Sequence, residues 1–182
     1  SSSTVLPITV HHWRRTSEDD PAVLWASACD ILSDDLSHDN RTVQTALLHM
    51  IDHYKHVLLE QGSRLEVVHM WSDGCRSQFK NRNMFAFATC TKRVCGVRFE
   101  TNFFCSCHGK GGSDAETAHM HAALRQLQKK KRINSSKEFY ERLMEENIQP
   151  RCVAAKSKNN KKKHSLFDRT LVHLSASDVS DA

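Results

Sequence analysis

The sequence has no apolar run approaching the roughly 18 residues that a membrane-spanning helix needs, and its longest apolar clusters are strand-sized. Its opening segment has neither the cationic start nor the apolar middle of a secretory signal. Internal repeats are absent. The cysteines number seven, an odd count without a secretory signal, which argues against a disulfide framework and for reduced thiols. There is also no initiator Met, and a strand-like pattern starts almost at once, so the chain reads as a piece of something longer.

What is present suits a globular domain with a sizeable core: 182 residues, 39% hydrophobic and 26% charged. The formal charge is +5, with 12 His besides. Much of that excess sits in two compact runs, Lys129-Lys130-Lys131-Arg132 and Lys161-Lys162-Lys163, the second flanked by Lys156, Lys158 and His164. Such runs suit contact with a phosphate backbone or nuclear import. The expected partner is therefore a nucleic acid, neither a membrane nor a small-molecule substrate, and the expected location is the nucleus.

Residues 5–13 (VLPITVHHW) read as a short strand, with Pro7 favouring an edge. Residues 22–32 are apolar enough for a buried strand, although their small side chains also allow a helix. Residues 33–39 form a turn ending in cap-forming side chains. Residues 42–60 give the clearest helix: Val43, Leu47, Met50, Ile51, Tyr54, Val57 and Leu58 share one face. His49, His53 and His56 lie opposite, a solvent-facing stripe with no acid or Cys expected beside it. A strand over 65–70 leads into an exit turn, Trp71-Ser72-Asp73-Gly74. A helix over 77–92 follows, with Phe79, Met84, Phe87 and Ala88 available for burial, and then a strand over 97–106. A glycine-rich turn at 109–112 opens a helix over 113–128, on which Met120, Ala123, Leu124 and Leu127 share a stripe. Ser135 or Ser136 caps a last helix through Glu145. A short helical stretch is expected over 166–174, inside a lysine-rich tail. This order predicts an α/β sandwich with some parallel pairing, in which ligand sites lie beyond the carboxyl ends of the strands.

Asp73 stands at one such end, and Asp114 and Glu116 open the helix after the next strand. Phosphodiester cleavage or transfer uses magnesium ions held by carboxylates from different elements, because magnesium is a hard, oxygen-seeking cation. Lys110, within the glycine turn, and the N–H groups of that turn could meet a phosphate. Taken singly, each of these carboxylates is better explained by turn or cap chemistry.

Their combination is more specific. The run WSDGCRSQFKN at 71–81, followed by FFCSCHGKGGSD at 103–114, resembles a group of eukaryotic transposon-derived proteins. The segment SDDLSHD at 33–39 is similar to a further piece of the same pattern. The resemblance covers roughly residues 5–127. It implies a ribonuclease H-like fold of the DDE transposase kind, with Asp73 as the second metal carboxylate and Asp114 matching the third. Helical spacing keeps Glu116 as a rival, since it extends the stripe of Met120 while Asp114 sits nearer a cap position. The first carboxylate of such folds belongs to a strand ahead of residues 5–13, and Asp34 or Asp35 is not expected to replace it. The chain as given is thus expected to be catalytically incomplete. It also departs from the group after Asp114, where glycines usually follow and Ala115-Glu116-Thr117-Ala118 stands here.

The expected organisation is a partial ribonuclease H-like core over 1–133, a helical extension over 134–155 and a lysine-rich tail over 156–182. The residues expected to touch nucleic acid are Arg76, Lys80, Lys110, Lys129, Lys130, Lys131, Arg132, Lys161, Lys162 and Lys163. Magnesium is the expected cofactor of a complete enzyme. The competing class is a non-enzymatic DNA or chromatin module that keeps the fold without catalysis. A zinc module built on Cys90, Cys95, Cys105, Cys107 and His108 stands third, because none of the spacings is that of a usual zinc knuckle. The resemblance also implies DNA as the partner, and self-association.

Overall fold

The structure, a computed structural model, describes residues 4–14, 19, 21–34, 39–105, 112–146, 167–175 and 177–178. It is a mixed α/β protein: β1 Thr4–Arg14, β2 Val23–Ser33, α1 Asn40–Glu60, β3 Val67–Ser72, α2 Arg82–Cys95, β4 Arg98–Phe103, α3 Gly112–Lys130, α4 Ser136–Glu145 and β5 Phe167–Leu174. The strands form two small sheets, β1-β2-β5 and β3-β4. The chain divides into two compact units, one made of Ser1–Leu32 and Gly112–His173, the other of Ser33–Gly111 and Leu174–Ala182. Among the described residues no helix is long and apolar enough to cross a membrane.

In the first unit, α3 packs on β1 and α4 packs beside α3. Their buried cluster joins Leu32 of β2 to Met120, Ala123 and Leu127 of α3, Ile133 of the connection, and Phe139 and Leu143 of α4. Val5 of β1 and Leu171 of β5 lie against it, so all three strands contribute to one core. The spacing of Met120, Ala123 and Leu127 explains why this helix presents a single apolar stripe. Ser135 caps α4, its Oγ accepting the Glu138 N–H at 3.1 Å.

The expected helix over 166–174 is corrected: the segment is strand β5 beside β2. Leu171 joins the core cluster and His173, two residues on, bonds the Ser136 Oγ at 2.9 Å. That is the two-residue period of a strand, and the alternate residues Thr170 and Val172 are β-branched and suited to it. Short apolar runs do not separate the two periods, and the open edge of β2 decided the outcome.

In the second unit, Asp39 caps α1, its Oδ1 accepting from the backbone of Arg41 at 2.8 Å and Thr42 at 3.3 Å. Val43, Leu47, Met50, Ile51, Tyr54 and Leu58 are buried along this helix, as their spacing requires. Strands β3 and β4 pair in parallel, in register from Val67↔Arg98 to Ser72↔Phe103. Helix α2 makes the crossover between them and sets Phe87 against Phe99 and Phe85 against Phe103, edge to face. Gln44 and Lys55 of α1 reach the two ends of α2, donating to the carbonyls of Asn83 at 3.2 Å and Cys95 at 3.0 Å. The Lys55 ammonium thus meets the negative end of the α2 dipole.

Two further expectations change. Helix α2 begins at Arg82 instead of residue 77, and ends at Gly96, whose φ of 75° closes it in the left-handed region. Of its expected apolar contacts Met84 is buried, whereas Phe79, Phe87 and Ala88 are half-buried. The His stripe of α1 does have an acid beside it, since Asp52 lies 3.8 Å from His56, although both side chains are exposed.

Phe139→Ala should lower unfolding free energy by about 3–5 kcal/mol, by transfer and cavity costs together. Lys137→Ala, exposed on the same helix, should change it by less than about 0.5 kcal/mol. Urea titration checks both, and equal effects would contradict the described core.

Candidate functional site

Asp73 directly follows the last residue of β3, at the carboxyl end of the parallel pair. Its side chain is exposed, and its Oδ1 accepts the Cys75 N–H at 3.0 Å, which makes the strand exit an Asx turn. Gly74 has a φ of 75°, a left-handed conformation that favours glycine. Phe104 continues the ladder one step further, its N–H reaching the Ser72 carbonyl at 2.9 Å.

Beyond Gly74 the chain makes one turn, with the N–H groups of Phe79 and Lys80 both directed at the Cys75 carbonyl, at 2.8 and 3.0 Å. Asn81 stops that turn from becoming the start of α2. Its backbone is extended, and its Oδ1 accepts the Met84 N–H at 3.0 Å as the helix cap. The same side chain donates its Nδ2 back to the carbonyls of Arg76 at 3.0 Å and Ser77 at 3.3 Å. One amide therefore caps α2 and braces the loop that carries Arg76 and Lys80. Both cations are exposed, and the Lys80 ammonium lies 5.4 Å from the centre of the Phe103 ring.

The sequence between Asp73 and Glu100 contains six cations, Arg76, Lys80, Arg82, Lys92, Arg93 and Arg98, and no carboxylate. All six are exposed. Only Arg98 of the six forms an ion pair among the described residues, with Glu100 at 3.3 Å. Arg82, Lys92 and Arg93 were missed by motif reading because each alone resembles ordinary helix surface. The signal that finds them is the missing counter-charge.

In the first unit, Asp114 is exposed in the first turn of α3, where a carboxylate complements the helix dipole. Glu116 is buried on the stripe of Met120, as helical spacing predicted, and lies 3.4 Å from His119. Nearby, Thr9 of β1 and Ser113 share a hydrogen bond of 3.3 Å. At the far end of α3, Lys129, Lys131 and Arg132 are exposed while Lys130 is engaged by Glu146 at 2.7 Å. Lys110, Lys161, Lys162 and Lys163 lie outside the described residues, as do Asp35, Lys156, Lys158, Cys107, His108 and His164.

Among the described residues no group of three or more His, Cys, Asp and Glu side chains is gathered where it could hold a metal ion. Of the cysteines considered for zinc, Cys90 and Cys105 are exposed, and the Cys95 thiol donates to the Thr91 carbonyl at 3.0 Å. Asp73 and Asp114 each present the hard oxygen donors that magnesium prefers.

The thiols differ sharply. Cys75 is lowered from its usual range, first by a hydrogen bond with the Ser77 hydroxyl at 3.3 Å, and the Asp73 charge works against that. Burial, aided by the neighbouring Asp30, pushes Cys29 up to about 12. Because the thiolate is the reactive form, iodoacetamide at mildly alkaline pH should label Cys75 well before Cys29, and Ser77→Ala should slow the Cys75 reaction. Peptide mapping by mass spectrometry reads the order, and labelling of Cys29 in the folded protein would contradict its burial. Asn81→Ala should cost about 1–2 kcal/mol in urea unfolding through loss of the cap.

No curated protein and no solved structure matches the chain. A family model described as "Domain of unknown function (DUF8701)" matches residues 1–178, and the chain belongs to that family.

Proposed function

We propose that the chain is a nucleic-acid-binding domain of transposase ancestry that grips a phosphate backbone through the cationic stretch beyond β3. The observation that carries this reading is the run of six exposed cations, uninterrupted by any carboxylate, between Asp73 and Glu100. A polyanion releases counterions when it meets such a surface, which makes the attraction strong at low salt and independent of base sequence. Arg76 and Lys80 are the cations nearest the strand ends, where α/β sheets place their ligands. Lys129, Lys131 and Arg132 add positive charge in the first unit, and the lysines at 161–163 add more. DNA as the partner and a nuclear location rest on the transposase resemblance, and the same charge accords with both.

The ribonuclease H-like assignment rests on the motifs at 71–81 and 103–114. The order of strands and helices and the parallel pairing of β3 with β4 support it. On this reading Asp73 and Asp114 are metal carboxylates, with Glu116 as rival to Asp114. Its burial beside His119 suits a structural pair better than an open ligand. Magnesium, when bound, would activate a water or hydroxyl and stabilise the leaving oxygen. The second reading, a binding module without catalysis, is favoured by Asp73 already serving its own turn through Cys75.

Fluorescence anisotropy with labelled DNA tests the binding. The logarithm of affinity should fall linearly with the logarithm of salt from about 50 to about 200 mM. Replacing Arg76, Lys80 and Arg82 together by Glu should weaken binding at least about tenfold and flatten that slope, since each lost phosphate contact removes close to one unit of it. Affinity indifferent to both salt and these replacements would end the proposal. Magnesium-dependent nicking of supercoiled plasmid, abolished by Asp73→Asn, supports the enzyme. A chain without the first carboxylate binds DNA without nicking it on either reading, and there a rise in melting temperature with magnesium that Asp73→Asn removes supports the enzyme ancestry, while a melting temperature indifferent to magnesium supports the module.

A further inference from the structure

The face of the β3-β4 pair that α2 leaves uncovered ends in two aromatic rings. The parallel register places Val68, Met70 and Ser72 on the same side as Phe99, Thr101 and Phe103. Phe99 and Phe103 meet Phe87 and Phe85 of α2, so this is the covered side. The other side carries Val67, His69 and Trp71 with Arg98, Glu100 and Asn102. Its middle is a self-contained polar cluster, in which Glu100 holds His69 at 2.8 Å and Arg98 at 3.3 Å. At its carboxyl end Trp71 is 57% exposed and Phe104 is 40% exposed. Their ring centres lie 5.4 Å apart at an interplanar angle of 33°.

A single exposed aromatic residue is ordinary. Here two are in contact at a strand end, immediately before the loop that carries Arg76 and Lys80, whose backbone Asn81 braces at the Arg76 and Ser77 carbonyls. We infer that Trp71, backed by Phe104, is a stacking platform for one unpaired base of a single-stranded nucleic acid whose phosphates lie along the cations of the adjoining loop and α2. This deepens the binding reading above and rests on it.

The surrounding charge selects the occupant. An apolar protein segment would gain from the rings but nothing from six unneutralised or weakly paired cations between Asp73 and Glu100. A nucleic-acid strand uses both, because every base has a π-face and every nucleotide a phosphate. Bases inside a duplex have those faces covered by their neighbours, so the platform discriminates in favour of an unpaired or extruded base. Indole is the larger of the two surfaces and carries most of the contact, while Phe104 supports it from the side.

The test uses the full chain with a fluorescently labelled oligothymidylate of about 15 nucleotides, within the range of single-strand site sizes, and a blunt duplex of similar length. Trp71→Ala should weaken single-strand binding about 5- to 150-fold, the range found for loss of one stacked base. It should leave duplex affinity within about twofold and the salt slope unchanged, because no phosphate contact is lost. Trp71→Phe should keep most of the affinity. It should also remove the tryptophan quenching that the oligothymidylate causes in the wild-type chain, a readout independent of the alanine variant's folding. Single-strand binding unaltered by Trp71→Ala, or quenching unaltered by Trp71→Phe, overturns the platform. So does a wild-type chain that binds duplex alone, which leaves the broader binding reading intact. A wild-type self-association that Trp71→Ala dissolves would assign the rings to a second copy instead. A wild-type chain that binds neither nucleic acid overturns both readings.

Discussion

Because Val67–Ser72 pairs in parallel with Arg98–Phe103, both strands finish at the same edge of their sheet, and every feature of interest in the second unit follows from that shared end. Parallel pairing requires a crossover, and α2 supplies it, so the loop after β3 must leave the sheet and enter a helix within a few residues. The Asx turn at Asp73, the left-handed Gly74 and the cap at Asn81 are the three devices that make this possible. The alternation imposed by the register then sorts the aromatics. Phe99 and Phe103 go under α2, and Trp71 goes outward.

Much of this was legible in the sequence where a period and a cap agreed. Asp39 before the α1 stripe and Ser135 before Phe139 and Leu143 named their helices almost to the residue. Glu116 was readable as buried because it stands four residues before Met120, and Asp114 as exposed because it does not share that stripe. The start of α2 was not readable. Ser77 is itself a good cap, and only the bonds from Asn81 back to Arg76 and Ser77 show why the helix waits until Arg82. Strand β5 was hidden by composition, since its neighbours are lysine-rich and its pairing partner, β2, is far away in sequence. The division into two sheets is likewise a property of long-range pairing that local pattern does not contain.

The motif reading and the charge reading point at the same loop by different routes. The first singles out Asp73, Arg76 and Lys80 by likeness to transposon-derived proteins. The second reaches Arg82, Lys92 and Arg93 as well, and needs no likeness, only the absence of any carboxylate to neutralise them. Where the routes part is Asp73 itself. Physical geometry accounts for it completely as the side chain that closes a turn, whereas the resemblance gives it chemistry to perform.

Asn81 concentrates three hydrogen bonds in one side-chain amide, accepting from Met84 and donating to Arg76 and Ser77. That economy makes the loop sensitive to covalent ageing. Deamidation would turn the amide into a carboxylate that still accepts from Met84, so α2 would keep its cap. The two donor bonds, however, would become contacts between a negative oxygen and backbone carbonyls. The helix would survive while the segment holding Arg76 let go, and a negative charge would arrive in the one long stretch of this chain's second unit that otherwise carries none. A chemically aged molecule would thus retain its fold and lose the electrostatic character of this edge.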